Sequence, residues 1–240
     1  MTALLSLREV ETFIGPYHIL HGVSLEVSQG ETLVMLGRNG VGKTTTLRTI
    51  MGLWSCARGS ILLHGQSMAG LATEQIAARG VGYVPENMGI FASLTVEENL
   101  VLAARSSSRS ALSRSPRLRR IFEAMPALEK FWKTPAGSLS GGQKQMVAVG
   151  RALIEPKELL IVDEPTKGLA PAIVESMASA FRAVQSEGTA LLFVEQNLSF
   201  AARLADRVVV MEGGRIVHTG AMQALMQSPA LQDSLLGLAL

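Results

Sequence analysis

The sequence predicts an α/β domain built on a parallel sheet, and three observations carry that expectation. Short apolar runs at residues 159–162 (LLIV), Ala190–Val194 and residues 208–211 are separated by stretches of helical pattern, as expected for parallel strands buried on both faces. A glycine-rich turn, GRNGVGKT, joins the run Thr32–Leu36 (TLVML) to a further helical pattern. Alternating segments elsewhere in the chain read as antiparallel strands laid beside that core.

In chain order, residues 24–27 (SLEV) alternate as a strand, and QGE supplies a turn into TLVML. Five consecutive apolar or β-branched residues there mark a strand covered on both sides. After Gly42 the pattern becomes helical, with Leu47, Ile50 and Met51 at helix spacing. GSILLHG, residues 59–65, reads as an antiparallel strand and its turn. From about Thr95 to Leu139 helix formers dominate and no strand pattern stands out. That region includes the Ser/Arg-rich piece RSSSRSALSRSPRLRR, residues 105–120. Its arginines would suit phosphates or anionic lipid, but a solvated loop and helix face is the preferred reading of such a charge run. VVVMEGGRIVHTG, residues 208–220, reads as a hairpin around Glu212, Gly213 and Gly214.

A length of 240 residues with 48% hydrophobic content suits one large domain, or a domain carrying a smaller lobe. Net charge of +2 makes no strong case for a nucleic-acid partner. The lone cysteine, Cys56, has no partner for an internal disulfide, and no Cys/His cluster of metal type is present, which fits a reducing cytosol. No apolar run approaches the roughly 18 residues that a membrane helix requires, and MTALLSLREVETF does not read as a signal peptide. The four histidines, His18, His21, His64 and His218, are scattered along the sequence and read as structural or exposed. Mean hydropathy of +0.28 is high for such a chain. An extensive interior or an apolar contact with a partner would account for it.

Three motifs carry chemistry. GRNGVGKT satisfies the phosphate-loop pattern in the strand-to-helix setting that the pattern requires. Gly37, Arg38, Asn39, Gly40, Val41 and Gly42 would wrap backbone N–H groups around phosphate oxygens, helped by the helix N-terminus. Lys43 would reach the β- and γ-phosphates, Thr44 would place its hydroxyl on Mg²⁺, and Thr45 would reach the α-phosphate. Downstream, the apolar strand in ELLIVDEP ends in two carboxylates. Asp163 is suited to Mg²⁺, and Glu164 to orienting an attacking water. Between these lies LSGGQKQ. Ser140 with Gln143 makes a helix capping box, and Ser140, Gly141, Gly142 and Gln143 also form a phosphate-facing helix start. Two phosphate-type loops in one chain suggest that the second completes a site on another subunit.

GRNGVGKTT, LSGGQKQ and LLIVDEP in this order resemble the ATP-binding subunit of an ATP-binding cassette (ABC) transporter. The resemblance implies a P-loop NTPase of RecA-like α/β core, with an antiparallel β layer and an inserted helical subdomain. It spans residues 5–238, with the helical part at about 87–149. It further implies ATP and Mg²⁺ as ligands, and ATP hydrolysis coupled to transport. Two subunits would pair head to tail, so that Ser140, Gly141, Gly142 and Gln143 act on the partner's nucleotide.

Departures from the family pattern point to a subgroup. The linker to the helical lobe, usually carrying glutamine, has Glu86 here, and a carboxylate binds Mg²⁺ or its water more strongly than an amide. The adenine-stacking slot holds Ile14 before Gly15, leaving Tyr17 or its neighbour Phe13 to take over. TKGLAP has Ala170 and Pro171 where many relatives end in aspartate, which puts the usual cross-subunit contact of that loop in doubt. VEQN places Gln196 where relatives keep histidine. An amide can donate to a γ-phosphate oxygen but cannot titrate near neutrality; the bland alternative is Asn197 as a helix cap with Gln196 incidental. VPEN, FASLTVEENL, DEPTKGLAP and VEQN together resemble the LivF-type ATPases of branched-chain amino acid importers. That likeness implies a second ATPase subunit or a second copy of the chain, transmembrane permease subunits, and a periplasmic binding protein acting indirectly. The place of action would be the cytoplasmic face of the inner membrane. Similar ATPases serve urea and short-chain amide uptake. A non-transport ATP-gated clamp with weak turnover is a further alternative, against which Glu164 argues. A P-loop GTPase is poorly supported, because no NKxD sequence is present.

Overall fold

The computed structural model describes residues 3–104 and 109–237. The described chain opens with β1 (Ala3–Ile14) and β2 (Tyr17–Ser28), a hairpin about Gly15 and Pro16. β3 (Thr32–Leu36) then leads into α1 (Lys43–Ile50), followed by β4 (Arg58–Leu63), β5 (Gln66–Ser67), α2 (Thr73–Ala78) and β6 (Val81–Val84). Next come the helices α3 (Val96–Ala103), α4 (Arg109–Ser113), α5 (Pro116–Ala124), α6 (Pro126–Lys130) and α7 (Gly141–Leu153). The remainder is β7 (Leu159–Asp163), α8 (Pro171–Gln185), β8 (Ala190–Val194), α9 (Leu198–Ala202), β9 (Arg207–Glu212), β10 (Arg215–Ala221), α10 (Met222–Met226) and α11 (Pro229–Leu236). Among the described residues between β6 and β7, the regular elements are helical, with one isolated bridge between Thr95 and Pro135.

Local chemistry sets where many of these helices begin. Thr95 caps α3 in a reciprocal box with Glu98, and Ser140 does the same for α7 with Gln143. Proline occupies the first turn of α5, α6, α8 and α11, where its missing N–H costs nothing.

The strands form two sheets. One is antiparallel, in the order β2-β1-β4-β5. The other has the order β10-β9-β3-β8-β7-β6, parallel except for the β9–β10 hairpin. β3, β7 and β8 are buried at every position, and alternate residues feed opposite cores. Val34, Leu36, Leu160, Val162, Leu191 and Phe193 face a helical layer that includes α7 and α8. Leu33, Met35, Leu159, Ile161, Leu192 and Val194 face the antiparallel sheet and α1. Three layers with two interiors follow from strands that are apolar on both faces. The expected fold class is therefore borne out.

The arginine-rich stretch is spent partly on ion pairs. Arg109 pairs with Glu98, while Arg117 and Arg120 of α5 both grip Glu187 just beyond α8. Residues 105–108 of that stretch lie outside the described residues, as does position 238 at the end of the expected domain. His18 is stacked on Phe13 with 4.1 Å between ring centroids and lies 3.9 Å from His21, while His64 pairs with Glu158 at 2.5 Å.

Candidate nucleotide site

The phosphate loop occupies the connection from β3 to α1. Gly37 has φ of +148°, and a Cβ there would lie 2.4 Å from the Met211 carbonyl oxygen. Gly42, the residue preceding α1, has φ of +109° and contributes no side-chain cap, so the first N–H groups of the helix are left open. Lys43 is buried at the start of α1, and its Nζ donates to the carbonyls of Gly37 at 2.8 Å and Arg38 at 2.9 Å. Burial lowers its pKa, with Glu164 and Asp163 opposing that shift.

Thr44 donates its hydroxyl to Asp163 Oδ1 at 3.1 Å. Asp163 is fully buried at the end of β7, and its Oδ2 has no hydrogen-bond partner. Burial pushes its pKa up to about 6, with the Thr44 hydrogen bond opposing and the Glu86 and Glu164 charges adding to the rise. An unsatisfied buried carboxylate oxygen beside a hydroxyl is a hard-oxygen donor set that fits Mg²⁺. The structure thus brings together two of the three expected metal-facing residues. Glu86 lies near enough to add its charge to Asp163, and its Oε1 accepts from Lys167 Nζ at 2.6 Å.

Glu164 follows Asp163 in a left-handed conformation, φ +46°, which costs a non-glycine residue about 1–3 kcal/mol and persists only where its surroundings impose it. Its N–H donates to the Val194 carbonyl at 2.9 Å. Gln196 Nε2 donates to Glu164 Oε1 at 2.7 Å and to Asn39 Oδ1 at 2.6 Å. Lys43 Nζ lies 3.9 Å from Oε1, and Lys167 Nζ lies 3.3 Å from Oε2. One amide therefore links the phosphate loop to Glu164. Asn197 caps α9 by accepting from Phe200 N–H, so the cap and the Gln196 bridge coexist on neighbouring residues.

Two residues escaped the sequence reading. Glu195, only 2% exposed, accepts from Thr166 N–H and Oγ1 and from the N–H groups of Gln196 and Asn197. Burial raises its pKa against those bonds, and it ties the loop after β7 to the loop after β8. Lys167 is the other. Its contacts with Glu86 and Glu164 hold its pKa above the usual lysine value. Only the (i, i+3) spacing from Glu164 hints at such a role, since Glu86 lies far off in sequence.

The remaining expected residues lie apart from this cluster. Ser140 N–H donates to Gln143 Oε1 and Gln143 N–H to Ser140 Oγ, so the capping box closes on itself. A Cβ on Gly141 would meet nothing within 4 Å, whereas one on Gly142 would meet Ile173. Tyr17 is 70% exposed at the β1–β2 turn, whereas one face of Phe13 is covered by His18.

A family model described as ABC transporter matches residues 20–167. The chain belongs to the ABC transporter ATP-binding family. It is similar to BraG of Pseudomonas aeruginosa, a high-affinity branched-chain amino acid transport ATP-binding protein, with 38% identity over 98% of this chain and 100% of that one. A probable branched-chain amino acid transport ATP-binding protein, LivF, of Archaeoglobus fulgidus is 31% identical over 92% of this chain and 93% of its own. Among solved structures, the ATP-binding subunit of an ABC transporter superposes with a TM-score of 0.81 at 29% identity, covering 95% of this chain and 94% of that one. Membership makes this ABC cassette a nucleotide-binding protein and an ATPase. Among its described residues, no helix is long and apolar enough to cross a membrane.

Proposed function

We propose that this cassette energises uptake of branched-chain or other hydrophobic amino acids, acting peripherally at the cytoplasmic face of the inner membrane. Likeness to BraG and LivF over nearly the whole chain supports the solute class. The observation that carries the catalytic assignment is the Glu164 carboxylate, one residue past Asp163 and held between Gln196 and Lys167.

In this reading the amides of residues 37–45 and the Lys43 ammonium hold the phosphates, Lys43 leaving the carbonyls of Gly37 and Arg38 to do so. Thr44 and Asp163 would hold Mg²⁺, which supplies neutralisation of phosphate charge when bound. Glu164 orients the attacking water and takes its proton. The Gln196 amide donates to a γ-phosphate oxygen without changing charge. Tyr17 supplies the adenine-facing ring. Ser140, Gly141, Gly142 and Gln143 serve the nucleotide of a paired subunit, either a second ATPase or a second copy. The cassette spans residues 5–238, with its helical part at about 87–149, and the subunit docks on permease subunits fed by a periplasmic binding protein.

Glu164→Gln tests the catalytic assignment. Turnover is expected to fall at least about a hundredfold, consistent with loss of a general base, while ATP affinity is retained. Lys43→Ala should instead weaken ATP binding itself. Unchanged hydrolysis by Glu164→Gln would remove Glu164 from the reaction. In reconstituted transporter, hydrolysis stimulated by a leucine-loaded binding protein supports the amino-acid reading. Stimulation by urea alone would move it to the amide importers.

A further inference from the structure

We infer that Lys167 is a positioning residue that fixes the water-orienting carboxylate Glu164 by bridging it to the linker carboxylate Glu86. The inference rests on the catalytic reading of Glu164 given above and adds a residue to it.

Glu164 Oε1 has its own donor in Gln196, at 2.7 Å. Oε2 is buried without a hydrogen bond, and the ammonium of Lys167 at 3.3 Å is its ion-pair partner. The same ammonium lies 2.6 Å from Glu86 Oε1. Glu86 follows Pro85 in the segment that leaves β6 towards the helices, while Lys167 lies in the loop after β7. A polar chain therefore runs from Glu86 through Lys167, Glu164 and Gln196 to Asn39 in the phosphate loop.

Charge explains why a lysine is needed. Two carboxylates facing one another repel, and the effect is strongest where one is buried, as Glu164 is. Where the linker carries an amide, that repulsion is absent. Here Glu86 adds a negative charge and Lys167 answers it. The Lys167 side chain is 56% exposed, and exposed ion pairs contribute little to folding. The consequence lies in where Glu164 points, because both of its oxygens are then held.

The test is a cycle in the full chain: Lys167→Ala, Glu86→Gln and the double variant, with Lys167→Arg as the conservative control. Steady-state phosphate release gives kcat and KM, a fluorescent nucleotide gives affinity, and thermal melting checks the fold. Lys167→Ala is expected to lower kcat about tenfold, with nucleotide affinity and KM changed less than about twofold, a loss equivalent to about 1.4 kcal/mol of transition-state stabilisation. In the Glu86→Gln background the same alanine should cost less than about threefold, and Lys167→Arg should recover most of the rate. Equal losses in both backgrounds, or no loss in either, would overturn the assignment of Lys167. Glu164→Gln, run alongside, separates the two readings. Full turnover there would overturn both. Loss of turnover there with an additive cycle would overturn only the role of Lys167.

Discussion

Asp163 occupies the least comfortable position in the site. It is fully buried, one oxygen is satisfied only by Thr44, and the other has no hydrogen-bond partner. Its folded pKa of about 6 exceeds the ordinary aspartate value of about 3.9, so the native state binds this proton more tightly than the unfolded chain does. The associated stability is fully present below about pH 4 and is lost as pH rises to about 6. At roughly 1.4 kcal/mol per pKa unit, the loss is on the order of 3 kcal/mol. Denaturant melts of metal-free, nucleotide-free protein should therefore show wild type losing stability relative to Asp163→Asn across that window. Parallel curves would mean that the carboxylate is not desolvated as described. Glu195 shows how the same burial is managed with partners. Four donor groups converge on its carboxylate, and removing it would strand the Thr166, Gln196 and Asn197 N–H groups, at about 1–3 kcal/mol for each group left buried and unsatisfied.

Among the elements, α5 is anchored by a charge fork. Arg117 and Arg120 both grip Glu187, which follows the C-terminal end of α8. Arg117 is the more enclosed of the two, and Arg120 the more exposed. Glu187→Ala should lower stability by about 1 kcal/mol, or about 3 °C in Tm for a chain of this size. Arg117→Ala should match it, while Arg120→Ala should cost clearly less. Equal effects of the two arginines in thermal melts would argue against burial as the deciding factor. The elements differ in how legible they were. β3 and β8 were readable to the residue, because each is an unbroken run of apolar or β-branched residues between turn residues. β1 was not, because its alternation is broken by register shifts and by Glu9 at φ +48°. β6 escaped too: VGYV is short, and its Gly82 is set against the Leu160 side chain, which a Cβ would approach to 2.9 Å. The phosphate loop and the two carboxylates were legible because local spacing encodes them. The Lys167–Glu86 and Glu195–Thr166 contacts join loops distant in sequence, and no local pattern marks them.

For the molecule as a whole, the high mean hydropathy has a direct cause. A sheet apolar on both faces feeds two separate interiors, one against helices and one against the antiparallel sheet and α1. The groups proposed to face the ligand gather at the carboxyl ends of β3, β7 and β8, as parallel sheets dispose them. The Ser140 loop stands apart, with its own hydrogen bonds closed locally, and the proposed function gives it the nucleotide of a paired subunit. Gly141 allows that idea to be tested without damaging the fold. A side chain there meets nothing within 4 Å in its own chain, and an acidic residue in a first helical turn is electrostatically favourable. Gly141→Glu should therefore melt within a few degrees of the parent and keep the ATP affinity of the single subunit. Placed in the Glu164→Gln background, it should abolish the ATP-dependent pairing that light scattering detects, because its carboxylate would face the partner's phosphates. Pairing that survives with undiminished affinity for ATP would show that this loop does not act across subunits.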